Sequence, residues 1–196
     1  MSLKMYTQIL DSIKSIVTLS AEEEAAFTQI LEVKEVKKKA FLLQTGQICT
    51  KVSFLNAGCT RIFYNVDGVE NTIQFFFAGS WYTDYSSFLT GQPTFENAQA
   101  LENSQVIQIK KTDLYQLYNV YPVFDRVGRI MAENAFLSVH HLNRMLTNDE
   151  PQQRYLNLLK QRPEVVERIP QHYIASYLGI QPESLSRIRK RILAAK

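Results

Sequence analysis

Hydrophobic positions in the first thirty residues recur at the spacing of amphipathic helices. A first helix is indicated by the residues Ile9, Ile13, Ile16 and Val17. Ser20 and Glu23 have the spacing of a capping box, in which each side chain accepts a hydrogen bond from the other residue's backbone N–H. They predict a second helix that begins after Ser20 and continues through Phe27, Ile30 and Leu31.

Between Val33 and Ile109 the pattern changes to short runs of β-branched and aromatic residues. Glycines separate these runs at intervals of ten to twelve residues, at Gly46, Gly58, Gly68 and Gly79. The runs predict strands at Lys51–Leu55, Thr60–Val66, Asn71–Phe77 and Val106–Ile109. Asp67-Gly68 predicts a tight hairpin, since both residues accept the positive φ angles of a type I′ turn. Such regular turn spacing is typical of a β-sandwich or barrel.

Helical periodicity returns from Thr112, and Pro122–Leu146 predicts one long helix of about 37 Å at about 1.5 Å per residue. One apolar stripe consists of Val127, Met131, Ala135, Leu142 and Met145; another side carries Ile130, Leu137 and His141. Two apolar sides indicate burial against two surfaces. We expect one surface to be the chain's own β domain and the other to be the same helix of a second subunit. A helical hairpin within one chain is the alternative.

The C-terminal fifty residues have the pattern of a small helical domain. Asn148–Pro151 predicts a hinge, and Gln152–Lys160 predicts an amphipathic helix. Gln171–Leu178 predicts a further helix, after which Gly179 permits a tight turn and Pro182 fits the first turn of the next helix. The two helices share a predicted core of Ile174, Ala175, Leu178, Ile180, Leu185 and Ile188. This arrangement is a helix-turn-helix.

The last helix has two distinct faces. Its apolar stripe is Leu185, Ile188 and Ile192, and the opposite face carries Ser184, Arg187 and Arg191. A helix with a buried stripe and an arginine-rich exposed face suits the major groove of DNA.

Charge is concentrated at the same end of the chain. The net charge is only +3, but the segment from Ile180 onward has five Lys or Arg residues against one Glu. The remaining chain therefore carries −1. Because phosphate contacts require local positive charge, this distribution favours a nucleic-acid partner.

The roles of the polar side chains follow from their chemistry. Arg187 is placed to contact guanine, with Glu183, which can accept from cytosine, and Ser184 as further base-contact candidates. Phosphate contacts are assigned to Arg189, Lys190 and Arg191, which fix position without reading sequence.

Other chemistries find little support in the sequence. Cys49 and Cys59 are too few for a disulfide framework, and a hairpin at Asn56-Ala57-Gly58 would place Cys49 near Val66, so reduced thiols are expected.

The chain shows no long apolar run or leader, which predicts a cytoplasmic protein. His140, His141 and His172 lie off the predicted strands and give no metal site, with the first two expected in packing or at an interface. No cofactor is expected, and the chain lacks the motifs of common enzymes.

A β-rich domain, a long helix and a terminal helix-turn-helix resemble the Crp/Fnr family of bacterial transcription regulators. The resemblance rests on Ile174-Ala175-(x)2-Leu178-Gly179, on Glu183-Ser184-(x)2-Arg187-Ile188, and on the turns at Gly46, Gly58, Asp67-Gly68 and Phe77-Ala78-Gly79. It implies an α+β chain with an N-terminal jelly roll of the cyclic-nucleotide-binding type over residues 1–121, a dimerisation helix over 122–147 and a DNA-binding domain over 148–196. It also implies a homodimer on double-stranded DNA, with RNA polymerase and a small-molecule effector as candidate partners.

The sequence departs from that family at the nucleotide site. Members that bind cyclic AMP have a glutamate after the glycine that matches Gly79, and an Arg-Ser/Thr pair before the alanine that matches Ala98. Here Ser80 takes the first place and Glu96-Asn97 the second. A carboxylate repels the cyclic phosphate, and the arginine clamp is lost. We therefore expect no cyclic AMP binding in the usual pose.

The aromatic residues near the predicted sensor pocket allow two interpretations. Aromatic residues around the site could line it for a planar ligand or could fill it as core. The candidate pocket residues are Gly79, Ser80, Trp81, Tyr82, Tyr85, Phe95, Glu96 and Asn97, together with Phe88.

The predicted DNA-binding domain is also reduced. Only eight residues separate Lys160 from Ile169, too few for the family's wing hairpin, and only Ala194-Ala195-Lys196 follow the recognition helix. The sequence thus predicts a regulator with a reduced or absent wing. The competing prediction is a ligand-binding jelly-roll module whose terminal helices mediate protein–protein contacts.

Overall fold

The computed structural model of the chain describes residues 3–194, with side chains from Met5 onward; Ala195 and Lys196 of the predicted C-terminal end lie outside it. The helices of this part are α1 Thr7–Lys14, α2 Ala21–Gln29, α3 Tyr85–Thr90, α4 Lys111–Val120, α5 Pro122–Asn148, α6 Pro151–Gln161, α7 Pro163–Arg168, α8 Gln171–Tyr177 and α9 Pro182–Ala194. The strands are β1 Glu32–Val36, β2 Phe41–Leu43, β3 Lys51–Ala57, β4 Cys59–Val66, β5 Val69–Phe77, β6 Trp81–Tyr82, β7 Glu96–Ala100 and β8 Ser104–Lys110.

The strands form two four-stranded sheets, ordered β1-β8-β3-β6 and β2-β7-β4-β5. In the first sheet β8 is antiparallel to both neighbours, with Glu32 opposite Gln108 and Lys51 opposite Lys110. A buried cluster of Val36, Leu55, Ala100 and Val106 draws on strands of both sheets. The predicted antiparallel β domain, followed by helices, is confirmed.

The Asp67-Gly68 turn between β4 and β5 has the predicted geometry. Asp67 has φ 51° and Gly68 has φ 83°, the two positive angles that a type I′ turn requires. The adjoining strands are neighbours in their sheet. Asp67 and Gly68 therefore determine the hairpin, because the backbone twist of a type I′ turn matches the twist of the flanking strands.

The conditional hairpin at Asn56-Ala57-Gly58 is wrong, because β3 and β4 belong to different sheets. Gly58 has φ +105°, and a Cβ at this position would overlap Ser104. The chain therefore crosses from one sheet to the other here, at a position that tolerates only glycine. Cys49 and Cys59 are both buried free thiols, as expected.

The capping box at the start of α2 is confirmed. Glu23 N–H donates to Ser20 Oγ at 3.2 Å, and Ser20 N–H donates to Glu23 Oε2 at 2.7 Å. The helix ends at Gln29, so Ile30 is its C-cap and Leu31 lies beyond it. Phe27 of this helix stacks on Phe124 of α5 at 5.5 Å between ring centroids.

The chain divides into two compact units. The first contains the residues up to Ile62 together with Phe75–Asn134, and the second contains Phe63–Gln74 together with the residues from Ala135. The tip of the β4–β5 hairpin thus belongs to the same unit as α6 to α9. Helix α5, at 27 residues, continues through both units and matches the predicted long helix.

The C-terminal domain is helical as predicted, and α5 and α6 are separated at the predicted hinge. Helix α7 lies in the short segment between α6 and α8, and between β8 and residue 194 the structure describes helices and no strand. Helices α3 and α7 were not predicted. Over residues 3–194 no helix has the length and apolar character needed to cross a bilayer.

Candidate nucleic-acid interface

The helix-turn-helix formed by α8 and α9 has the predicted core. Ile174, Ala175, Leu178, Leu185 and Ile188 are all buried. Ile180 is half-buried. Because Ala175 has no side chain beyond Cβ, the two helices can cross closely at this point.

Gly179 makes the turn between the helices. Its φ is +66°, in the left-handed region that glycine adopts without steric cost. Two backbone bonds of 3.0 Å close the turn, from Gly179 N–H to Ser176 O and from Ile180 N–H to Ala175 O. Helix α9 then begins at Pro182, whose missing N–H has no intrahelical partner to lose.

The face of α9 opposite its core is polar and accessible. Glu183, Arg187, Lys190 and Arg191 are exposed, while Ser184 and Arg189 are half-buried. The hydrogen bond of Arg187 stays within the helix and is long, at 3.4 Å from Nε to Glu183 O. The six predicted DNA-binding residues therefore lie on one short helix, with most of their polar groups accessible.

The charged residues at the two ends of α9 suit the helix dipole. Glu183 lies in the first turn and Arg191 in the last, which matches the sign of the helix dipole at each end. Three further positive charges lie between or beside them, at Arg187, Arg189 and Lys190.

Helix α8 is held by a serine that the sequence analysis missed. Ser176 Oγ accepts from Thr72 N–H at 2.8 Å and donates to Glu70 O at 3.0 Å. Both partners are backbone groups of β5, at the hairpin tip within the second unit. No local pattern marks such a residue, because its partners are more than a hundred positions away.

A second missed residue, Arg154 on α6, joins three backbone carbonyls. Its guanidinium donates to Leu146 O, Asp149 O and Leu178 O at 2.7–2.8 Å. These groups lie at the end of α5, in the hinge and at the end of α8. The only sequence signal was a polar position on an amphipathic helix.

The predicted effector residues begin at the turn before β6. Gly79 has φ +89° and is exposed, and the backbone of Gly79 and Ser80 is bonded to Leu55. Trp81 packs edge-on to Phe54 at 5.0 Å and donates its indole N–H to Ser12 Oγ at 2.8 Å. The side chain of Trp81 is thus bonded to α1.

Glu96 and Asn97, at the positions of the family's Arg-Ser/Thr pair, have protein partners. Glu96 accepts a hydrogen bond from the Tyr82 hydroxyl at 3.3 Å. Asn97 accepts from Thr45 N–H at 3.2 Å and donates to Thr45 Oγ1 at 2.8 Å. Burial, followed by the charge of Glu96, raises the pKa of Tyr82, so this phenol stays neutral and can donate.

The remaining aromatic candidates separate in space. Phe88 is buried and its ring is 6.4 Å from Tyr115, whereas Phe95 is 79% exposed. Tyr85, at the start of α3, is half-buried. The structure therefore brings Tyr82 and Glu96 into contact, while Trp81 and Asn97 bond to Ser12 and Thr45 and Phe95 is exposed.

Exposed apolar side chains occur in the middle of α5. Phe136, Leu137 and Val139 are 70%, 61% and 59% exposed. The neighbouring His140 and His141 are exposed as well. Within the described residues no group of three or more His, Cys, Asp or Glu side chains is arranged to hold a metal ion.

Comparisons with known proteins agree with this architecture. Residues 33–121 match the family model of the cyclic nucleotide-binding domain. FixK2 from Bradyrhizobium japonicum superposes with a TM-score of 0.73 at 16% identity, covering 85% of this chain and 86% of that chain. A putative Crp/Fnr regulator from Eubacterium rectale gives 0.69 at 14%, covering 90% and 85%.

The regulator CLP from Xanthomonas campestris, described as responsive to c-di-GMP, gives a TM-score of 0.66 at 16% identity and covers 90% of this chain and 93% of its own. A comparison with curated proteins finds no match. The resemblance predicted from the sequence is confirmed: residues 33–121 form a cyclic nucleotide-binding-type domain, and the chain has the fold of the Crp/Fnr transcription regulators.

Proposed function

We propose that this protein is a homodimeric, sequence-specific DNA-binding transcription regulator that does not respond to cyclic AMP. The observation that carries the proposal is the exposed polar face of α9, held by a buried core with α8. Helices of this kind read base edges in the major groove through residues of their N-terminal part. The likeness of the fold to Crp/Fnr regulators supports the same class of function over that of an enzyme.

Within this proposal the polar residues of α9 have separate tasks. Arg187 donates two parallel hydrogen bonds to a guanine, and Glu183 and Ser184 contact neighbouring bases. Arg189, Lys190 and Arg191 bind phosphates, which adds affinity without selecting a sequence. Because the described part of this domain has no strands for a wing hairpin, the backbone contacts that a wing would add come from these side chains.

Dimerisation is assigned to α5. The exposed Phe136, Leu137 and Val139 are covered when the same helix of a second subunit packs against them, which removes their apolar surface from water. Twofold symmetry then places two recognition helices one helical turn of DNA apart, on a palindromic site.

The lack of a cyclic AMP response follows from the contacts of Glu96 and Asn97. A carboxylate stands at the phosphate-clamp position, and the adjacent amide already holds Thr45. The proposal allows an effector of other chemistry. RNA polymerase is the partner that a Crp/Fnr-type regulator would engage on DNA.

Selection of bound fragments from genomic DNA tests the proposal. The recovered fragments are expected to share a palindromic sequence, and affinity for it is expected to fall steeply with salt concentration because phosphate contacts release counterions. Arg187→Ala should cost about 1–3 kcal/mol of discrimination at one base pair of each half-site.

Lys38→Ala provides the matched control, since it removes one exposed positive charge outside the helix-turn-helix. It is expected to leave sequence preference unchanged. If the wild-type protein fails to bind duplex DNA at low salt, the alternative of a jelly-roll module acting through protein contacts replaces the proposal.

A further inference from the structure

Arg154 connects three separate segments of the second unit through a single guanidinium. Nη2 donates to Leu146 O at 2.8 Å, Nε donates to Asp149 O at 2.8 Å, and Nη1 donates to Leu178 O at 2.7 Å. Leu146 lies in the last turn of α5, Asp149 lies in the hinge, and Leu178 is the C-cap of α8. Arg154 itself lies near the start of α6 and is half-buried.

The acceptors explain why arginine occupies this position. The last carbonyls of a helix have no intrahelical partner and form the negative end of the helix dipole. Arg154 supplies donors and positive charge to two such ends at once. Its planar fork of five N–H groups can reach three diverging acceptors, whereas a lysine ammonium is a compact point charge on a flexible stem.

The turn of the helix-turn-helix lies directly against this guanidinium. A Cβ built at Gly179 would be 3.3 Å from Arg154 Nη1 and 3.5 Å from Leu146 Cδ2. The end of α5, the side chain of Arg154 and the α8–α9 turn are therefore in close contact within one compact unit. Movement of α8 relative to the end of α5 must break at least one of the three bonds.

We propose that Arg154 is a positioning residue that sets the spacing of the DNA half-sites. This inference rests on the proposed function, in which α5 forms the dimer and α9 reads DNA. If α5 defines the twofold axis, the angle between its end and the helix-turn-helix fixes the separation of the two recognition helices. Half-site spacing is then a geometric consequence of the Arg154 bonds.

Operators that differ only in the spacing between half-sites test the proposal. Duplexes with one base pair removed from or added to the centre of the selected site are compared for the wild type, Arg154→Lys and Arg154→Met. The wild type is expected to prefer one spacing by about tenfold or more. Both variants are expected to reduce that preference to about threefold or less, while affinity for a single half-site changes little.

A direct measurement of geometry accompanies the binding data. Spin labels placed at the exposed Lys190 of each subunit report the distance between the two α9 helices without DNA. Arg154→Lys is expected to broaden this distance distribution. Because it keeps a long, positively charged side chain, it still tests the proposal if Arg154→Met fails to fold. Lys160→Arg, an exchange of the same two residue types at the exposed end of α6, is the control and should leave both the spacing preference and the distribution unchanged.

The outcomes separate the two proposals. Wild-type spacing preference and an unchanged distance distribution in Arg154→Lys would overturn the role of Arg154 while leaving DNA binding intact. If the wild type itself binds no duplex, the proposed function fails and the role of Arg154 fails with it.

Discussion

At the residue scale, the environment of Tyr118 predicts how the stability of the fold changes with pH. This tyrosine of α4 lies against Gly128 of α5, where a Cβ would collide with its ring. Burial, followed by the nearby Tyr85 and Tyr115, raises the pKa of Tyr118 to about 12, from an ordinary value of 10.0. The folded state therefore keeps the phenol neutral at pH values where the unfolded chain ionises it.

The sign of the effect follows from linkage. The contribution of Tyr118 to the free energy of unfolding is fully present below pH 10. It is lost as the pH rises from about 10 to about 12, which lowers the free energy of unfolding by about 1–2 kcal/mol after solvent screening. Unfolding by denaturant across this range is the measurement, and Tyr118→Phe should show a smaller loss than the wild type. An equal loss in both proteins would contradict the assignment.

Gly179 gives a second prediction at this scale. Gly179→Ala places a side chain at positive φ, which costs about 1–2 kcal/mol, and also crowds Arg154. Gly91 is a matched control, since it is a C-cap with φ +72° and a Cβ there would meet nothing within 4 Å. Chemical denaturation should show a larger loss for Gly179→Ala than for Gly91→Ala. Equal losses would mean that the Arg154 contact is unimportant for stability.

At the scale of elements, the exposed apolar residues of α5 predict the consequence of placing a charge there. Leu137→Glu keeps a good helix former but puts a carboxylate in the expected dimer interface, where its desolvation is costly. The variant should sediment as a monomer at concentrations where the wild type is a dimer.

Val120→Glu is the control, because Val120 of α4 is also well exposed, at 66%, but lies outside α5. It should retain the wild-type mass. A Leu137→Glu protein that sediments like the wild type would show that α5 does not form the interface through this residue.

Elements with local signals could be predicted from the sequence. The capping box at Ser20, the Asp67-Gly68 turn and the proline at the start of α5 are each set by a few adjacent residues. Helix α7 was missed because it has six residues and no side-chain cap. The change of sheet at Gly58 was also missed, since a glycine turn has the same local pattern whether the next strand pairs with its predecessor or joins another sheet.

The candidate site divides in the same way. The polar face of α9 and its core follow from helical periodicity, so Arg187 and its neighbours could be named in advance. Arg154 and Ser176 could not, because their partners are backbone groups of distant segments. The effector residues were placed by resemblance alone; in the structure Phe95 is largely exposed and the indole of Trp81 donates to Ser12 Oγ.

At the scale of the whole molecule, the proposal predicts no response to cyclic AMP. Thermal unfolding of the full chain with micromolar cyclic AMP should show no shift in Tm, since Glu96 repels the phosphate. A rise in Tm of several degrees with cyclic AMP would show that the site binds the nucleotide in another pose.

The contact between Ser176 and β5 has a consequence for solubility. Strand β5 is the edge of its sheet, and an open edge is a template on which another chain can add a strand. The Ser176 hydroxyl occupies Thr72 N–H and Glu70 O, two of the groups that such an intruder would need. A fragment that ends before α8 should therefore aggregate more readily than the full chain, because strands of other molecules can form hydrogen bonds with the uncovered backbone of β5.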